Sequence, residues 1–143
     1  MKNVDFQAVI DLLSKGLGTY ENIKAMAFLG SKKIVSEWMT ISIKTGRQSG
    51  KTKFFLGLVN QGKAILFERS DIIETLHFEV SSEYEDRILS YEDFNPESLD
   101  KFKNLVTDIK YICLSDTDYY KLDEKVYDKL IEIFGYDFVV VQS

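Results

Sequence analysis

Eight consecutive residues, Thr45-Gly46-Arg47-Gln48-Ser49-Gly50-Lys51-Thr52, bring together the groups needed to hold a polyphosphate. An oxyanion is bound well by converging backbone N–H groups, by the positive end of a helix and by a cation. Gly46 and Gly50 let the backbone curl around an anion and approach it closely. Lys51 supplies an ammonium for the outer phosphates, and the Thr52 hydroxyl is a ligand for magnesium. The spacing follows G-x-x-x-x-G-K-[ST] except at the start, where Thr45 replaces the first glycine and Gly46 follows one residue later. A Gly-Lys-Thr tripeptide alone is weak, since a basic turn joining a strand to a helix reads the same way. It becomes informative when a strand precedes it and a helix and a second strand follow.

That context is legible. Residues 38–43 alternate, with Met39, Ile41 and Ile43 against Thr40 and Ser42, which predicts a strand running into the glycine loop. Phe54, Phe55, Leu56 and Leu58 predict a short helix stopped near Asn60-Gln61-Gly62. Residues 64–67 are a continuous apolar run, as expected of a buried parallel strand. Before the loop, residues 4–15 and 20–29 read as helices closed by glycines, and the segment 1–35 as a helical N-terminus. Asp5-Phe6-Gln7 could read an adenine, but an amphipathic helix explains them better.

After the loop unit, residues 72–76 read as helical, 77–80 as extended, and the acidic 81–94 as a surface excursion. Asn95-Pro96-Glu97 is a cap, a first-turn proline and a first-turn acid, predicting a helix to about residue 106. Tyr111–Leu114 is an apolar strand, Glu124–Phe134 a helix ended by Gly135, and residues 138–141 a last strand. Alternation of this kind predicts an α/β protein with a small, mostly parallel sheet of about four strands covered on both faces. Ligands of such sheets bind beyond the carboxyl ends of the strands. The glycine loop, Asp116 and Gln142 all fall at such ends.

Arg47-Gln48-Ser49-Gly50-Lys51-Thr52 resembles the variant Walker A loop of viral large terminases, the ATPases of DNA-packaging motors, which commonly carry R-Q-x-G-K-[ST]. The likeness is tight over residues 45–52 and extends over 38–143 in layout. It implies a three-layer P-loop NTPase-like fold, with residues 36–143 as the nucleotide-binding core and ATP with Mg2+ as the ligand. It also implies that Arg47 reaches the outer phosphate in cis, offsetting charge that builds up during phosphoryl transfer. DNA or a protein would be the partner, and the host cytoplasm the setting of a viral protein. Members of that family are several times longer and carry a nuclease domain. The present residues look like a reduced or diverged relative of that ATPase core, or like another short viral or mobile-element P-loop protein.

Hydrolysis needs carboxylates as well as a phosphate cradle. Asp116, beyond Tyr111–Leu114, is the candidate for the magnesium hydration shell. Related ATPases have a glutamate directly after that aspartate, whereas this chain has Thr117 and then Asp118. Threonine is no base, and Asp118, the remaining candidate for orienting water, is one residue too far unless the loop bulges, so nucleotide binding is better supported than catalysis. Glu68 also ends an apolar strand, but its spacing suits the second strand of the sheet rather than the magnesium-binding one. Gln142 stands where related ATPases place a polar sensor of the terminal phosphate, or is simply a frayed end.

The rest of the composition bounds the class. At 143 residues, 45% of them hydrophobic, the chain is expected to be one domain with a real core. A lone cysteine, Cys113, and no leader-like N-terminus fit a reducing cytoplasm. No apolar run approaches the roughly 20 residues that span a bilayer. His77 and Cys113 alone make no zinc site. Residues 1–70 carry 11 Lys and Arg against 5 Asp and Glu, and residues 71–143 carry 7 against 18, so the loop lies in the basic half. Three functions fit: a small ATPase, a non-catalytic P-loop module acting through a protein partner, and a nucleotide kinase. The kinase is weakest, because no arginine follows Arg87 to build a lid, and the absence of a guanine-reading N-K-x-D leaves ATP as the nucleotide.

Overall fold

The computed structural model describes residues 5–18, 20–43, 50–93, 95–103, 109–115 and 124–142. The chain is an α/β protein built on a five-stranded, all-parallel sheet of order β1-β5-β4-β2-β3. The strands are β1 (Thr40–Ser42), β2 (Ala64–Glu68), β3 (Ile88–Ser90), β4 (Tyr111–Leu114) and β5 (Val139–Gln142). The helices are α1 (Phe6–Ser14), α2 (Tyr20–Ala25), α3 (Ser31–Trp38), α4 (Lys51–Asn60), α5 (Ser70–His77), α6 (Pro96–Leu99) and α7 (Glu124–Phe134).

Side chains alternate across the sheet and divide the core in two. Ala64, Leu66, Tyr111, Cys113, Val141 and Ile41 meet α1, α4 and α5 on one face, through Ile10, Phe55, Leu56, Val59 and Leu76. Ile65, Phe67, Ile112, Leu114 and Val140 meet α3, α6 and α7 on the other, through Ile34, Val35, Leu99, Val126 and Leu130. Each large side chain buried this way contributes about 1.5–3 kcal/mol. Connections β1→β2 and β2→β3 run one way along the sheet, and β3→β4 and β4→β5 run the other. Crossovers of one hand must then lie on opposite faces, as α4 and α5 do relative to α6 and α7.

The sheet has five strands where the sequence predicts about four. The extra one, β3, lies inside the acidic stretch expected to be a surface excursion. It is a three-residue edge strand held by β2 alone, with Leu66, Phe67 and Glu68 opposite Ile88, Leu89 and Ser90. Residues 77–80 are not extended: α5 includes His77, and the N–H groups of Glu79 and Val80 close turns onto Leu76 and His77. Trp38 ends α3, which the sequence reading missed, and the strand starts at Thr40. The predicted cap is present: Asn95 Oδ1 accepts from the Ser98 N–H at 2.9 Å with Pro96 in the first turn. A 3-10 turn, Asp100–Phe102, follows. Asp5 caps α1, Phe6 is buried with its ring tilted against Phe54 at 5.5 Å, and Gln7 bonds Asp11, as suits an amphipathic helix. Among the described residues no helix is long and apolar enough to cross a membrane.

Candidate functional site: the carboxyl edge of the sheet

Helix α4 begins at Lys51, directly after Gly50, whose φ of 86° and ψ of 11° lie in the left-handed region. A Cβ on Gly50 would meet nothing within 4 Å, so glycine is required there by the backbone angle and not by space. Among the described residues no side chain caps the helix, and its first turn holds Lys51 and Lys53 and no acid. That reverses the usual preference for negative charge at the positive end of a helix dipole. The first-turn N–H groups, which have no partner within a helix, thus share the first turn of α4 with two lysines. Lys51 and Thr52 are half-buried and Lys53 is exposed. Thr45, Gly46, Arg47, Gln48 and Ser49 lie outside the described residues, as do Asp116 and Asp118.

The sheet brings the other strand ends to the same edge. β5 lies between β1 and β4 and carries Gln142 there, paired with Ser42 on one side and Leu114 on the other. Gln142 Nε2 donates to Ser42 Oγ at 2.7 Å. It is therefore part of the strand and not a frayed end. Val140, two residues earlier, faces α3 and α7, so Gln142 belongs to the face opposite α4.

Glu68 and Ser115 lie on neighbouring strands, one step beyond the last β2–β4 pair, Phe67 with Leu114. The Ser115 N–H donates to the Phe67 carbonyl at 3.1 Å. The Tyr91 hydroxyl, from the turn after β3, donates to the Ser115 carbonyl, and Tyr91 stacks on Phe67 at 6.4 Å. The end of β4, which leads to Asp116, is thus clamped by β2 and by the turn after β3.

Among the described residues Glu68 is the one charged side chain fully buried, at 2% exposed. Glu68 Oε1 accepts from the Arg69 N–H at 3.0 Å. The Arg69 guanidinium is bound to Asp71, whose carboxyl it holds below the usual range by hydrogen bonding. Sequence reasoning set Glu68 aside because its strand follows the loop helix at once. The signal it carried was a carboxylate continuing an unbroken apolar run.

Cys113 is deep in the core between β2 and β5, and burial pushes its thiol far up, so it is no nucleophile. Among the described residues no cluster of His, Cys, Asp and Glu could hold a metal ion by itself. A magnesium ion carried in with phosphates needs no such cluster, since it keeps several waters and takes one or two protein ligands.

No protein-family model, curated protein or solved structure matches this chain. What the chain can be said to be is therefore its architecture: an α/β protein with a five-stranded, all-parallel sheet and an N-terminal set of helices.

Proposed function

We propose that this protein is a P-loop nucleotide-binding protein that binds ATP with Mg2+ at the carboxyl edge of its sheet and hydrolyses it. The observation that carries the reading is the left-handed Gly50 opening the uncapped, lysine-bearing first turn of α4, which follows a parallel strand. That is the backbone setting a glycine-rich phosphate loop needs before its helix. Lys51 would hold the outer phosphates and Thr52 the metal. Arg47 is assigned the terminal phosphate, as in the terminase-type loop that residues 47–52 resemble. Asp116, one residue past the clamped Ser115, is assigned the metal's water shell. Connections leaving β1 and β4 depart to opposite faces, with β5 between them, which supports a ligand crevice at that edge.

Isothermal titration of wild type and Lys51→Ala with ATP and Mg2+, with phosphate release read on the same samples, tests this reading. Saturable binding that weakens at least about tenfold in Lys51→Ala is the expected result, because a charged hydrogen-bond partner contributes about 1.5–3 kcal/mol. No binding to wild type, or equal binding to both, contradicts it. Binding without release would mark a non-catalytic module.

A further inference from the structure

We propose that Glu68 is the general base of the reaction, the carboxylate that takes a proton from the water attacking the terminal phosphate; this rests on the nucleotide-binding reading above. Folding alone does not explain Glu68. It sits after Ala64, Ile65, Leu66 and Phe67, all fully buried, in a strand where another apolar residue would pack. Removing a carboxylate from water costs several kcal/mol unless charge and hydrogen bonds offset it. Here, among the described residues, the hydrogen bond to the carboxylate is the Arg69 N–H on Oε1. No Lys, Arg or His pairs with Glu68 among the described residues. A buried carboxylate with one backbone hydrogen bond and no cationic partner among the described residues is the kind of local exception that functional sites carry.

Its placement fits that task. Ala64 and Leu66 face α4, and Glu68 is next in that row, at the carboxyl edge. Helix α4 covers this face, and its first turn holds Lys51 and Thr52. On β4 the residue level with Glu68 is Ser115, which is no base, and Thr117 lacks the carboxylate of related ATPases. Strand β2 thus supplies the acid that the chain after β4 lacks next to Asp116.

In the step, the water oxygen bonds to the terminal phosphorus as its proton passes to the unbonded Glu68 oxygen. The bond from that phosphorus to the bridging oxygen breaks, and ADP leaves with the bonding pair. The proton then moves to the released phosphate, restoring the carboxylate.

Glu68→Gln tests this, because the amide keeps the acceptor for the Arg69 N–H and removes only charge and basicity. Measurements are ATP·Mg2+ binding, phosphate release and the thermal midpoint of the free protein. Expected are affinity within about threefold of wild type and release at least about 100-fold slower. The midpoint should be unchanged or raised, since an unpaired buried charge is gone. Glu68→Asp should release phosphate at a rate between the two. Release by Glu68→Gln within about threefold of wild type overturns the assignment of Glu68 and leaves nucleotide binding standing. So does wild-type protein that binds ATP and releases no phosphate. Wild type that binds no ATP overturns the nucleotide-binding reading itself, and the base falls with it.

Discussion

The two edges of the sheet are built differently. At the amino edge, backbone groups are tied to one another across neighbouring strands. The Lys63 carbonyl accepts from the N–H groups of Lys110 and Tyr111 at 2.8 and 3.0 Å, Lys110 accepts from Val139, and Met39 from Val140. The turn between α4 and β2 is locked by Gly62, at φ 74°, whose carbonyl accepts from Arg87 Nη1 at 2.9 Å. Arg87 in turn lies over the Tyr84 ring at 4.5 Å. A cleft of about 210 Å³ opens at this edge, lined by Trp38, Met39, Lys110, Tyr136 and Asp137 among others. At the carboxyl edge, α4 begins uncapped with lysines in its first turn, and a carboxylate is buried with a single hydrogen bond. One edge fixes register. Among the described residues, the other carries a helix start with no side-chain cap and a buried carboxylate with one backbone hydrogen bond.

The largest expected effect tests whether the two edges share one core. Phe67, fully buried and stacked on Tyr91, sits in the core half that meets α3, α6 and α7, one residue before Glu68 at the carboxyl edge. Phe67→Ala should cost about 3–5 kcal/mol in urea denaturation. Next come paired glycine substitutions. Gly50→Ala and Gly62→Ala each force a Cβ into left-handed backbone and should each cost about 1–2 kcal/mol. Only Gly50→Ala should also weaken ATP binding, and equal binding losses would erase the contrast. Gly57, inside α4 with open space around its Cα, gives a smaller effect of opposite sign. Gly57→Ala should raise stability by about 0.5–1 kcal/mol without changing binding.

The smallest effect lies far from both edges. Lys129 bridges Asp100 and Glu132 at 2.5 and 3.0 Å, and Lys103 joins them. Hydrogen bonds from Lys129 chiefly hold both carboxyls below their ordinary values of 3.8 and 4.5. Groups whose folded pKa is depressed contribute stability above the unfolded pKa and lose it as pH falls through the folded one. Lys129→Met should therefore flatten the fall in thermal midpoint below about pH 4. The difference should fade near 1 M salt, where the screening length is about 3 Å.

Much of the fold was legible because the central strands are unambiguous. Residues 64–67 and 111–114 are continuous apolar runs, as strands buried on both faces must be. The edges were not. β3 is three residues long and satisfies one neighbour only, so its pattern is too short to separate from the acidic turns around it. α3 buries Ile34 and Val35, too few for a helical period to show against its lysines and glutamate. At the candidate site, spacing singles out Gly50, Lys51 and Thr52, and the structure puts Gly50 in left-handed backbone directly before α4. Glu68 reads as a second-strand acid, and its burial beside the edge strand β3, where it pairs with Ser90, is announced by no local pattern. Gln142 was found at a strand end, but the face it occupies follows from the alternation of β5.

Amide hydrogen exchange with and without ATP·Mg2+ tests the contrast between the edges most directly. Protection should rise at residues 51–53 and at the ends of β2 and β4, while residues 38–39, 110 and 136–139 around the amino-edge cleft stay unchanged. Protection confined to that cleft, or none at either edge under saturating nucleotide, would contradict the account.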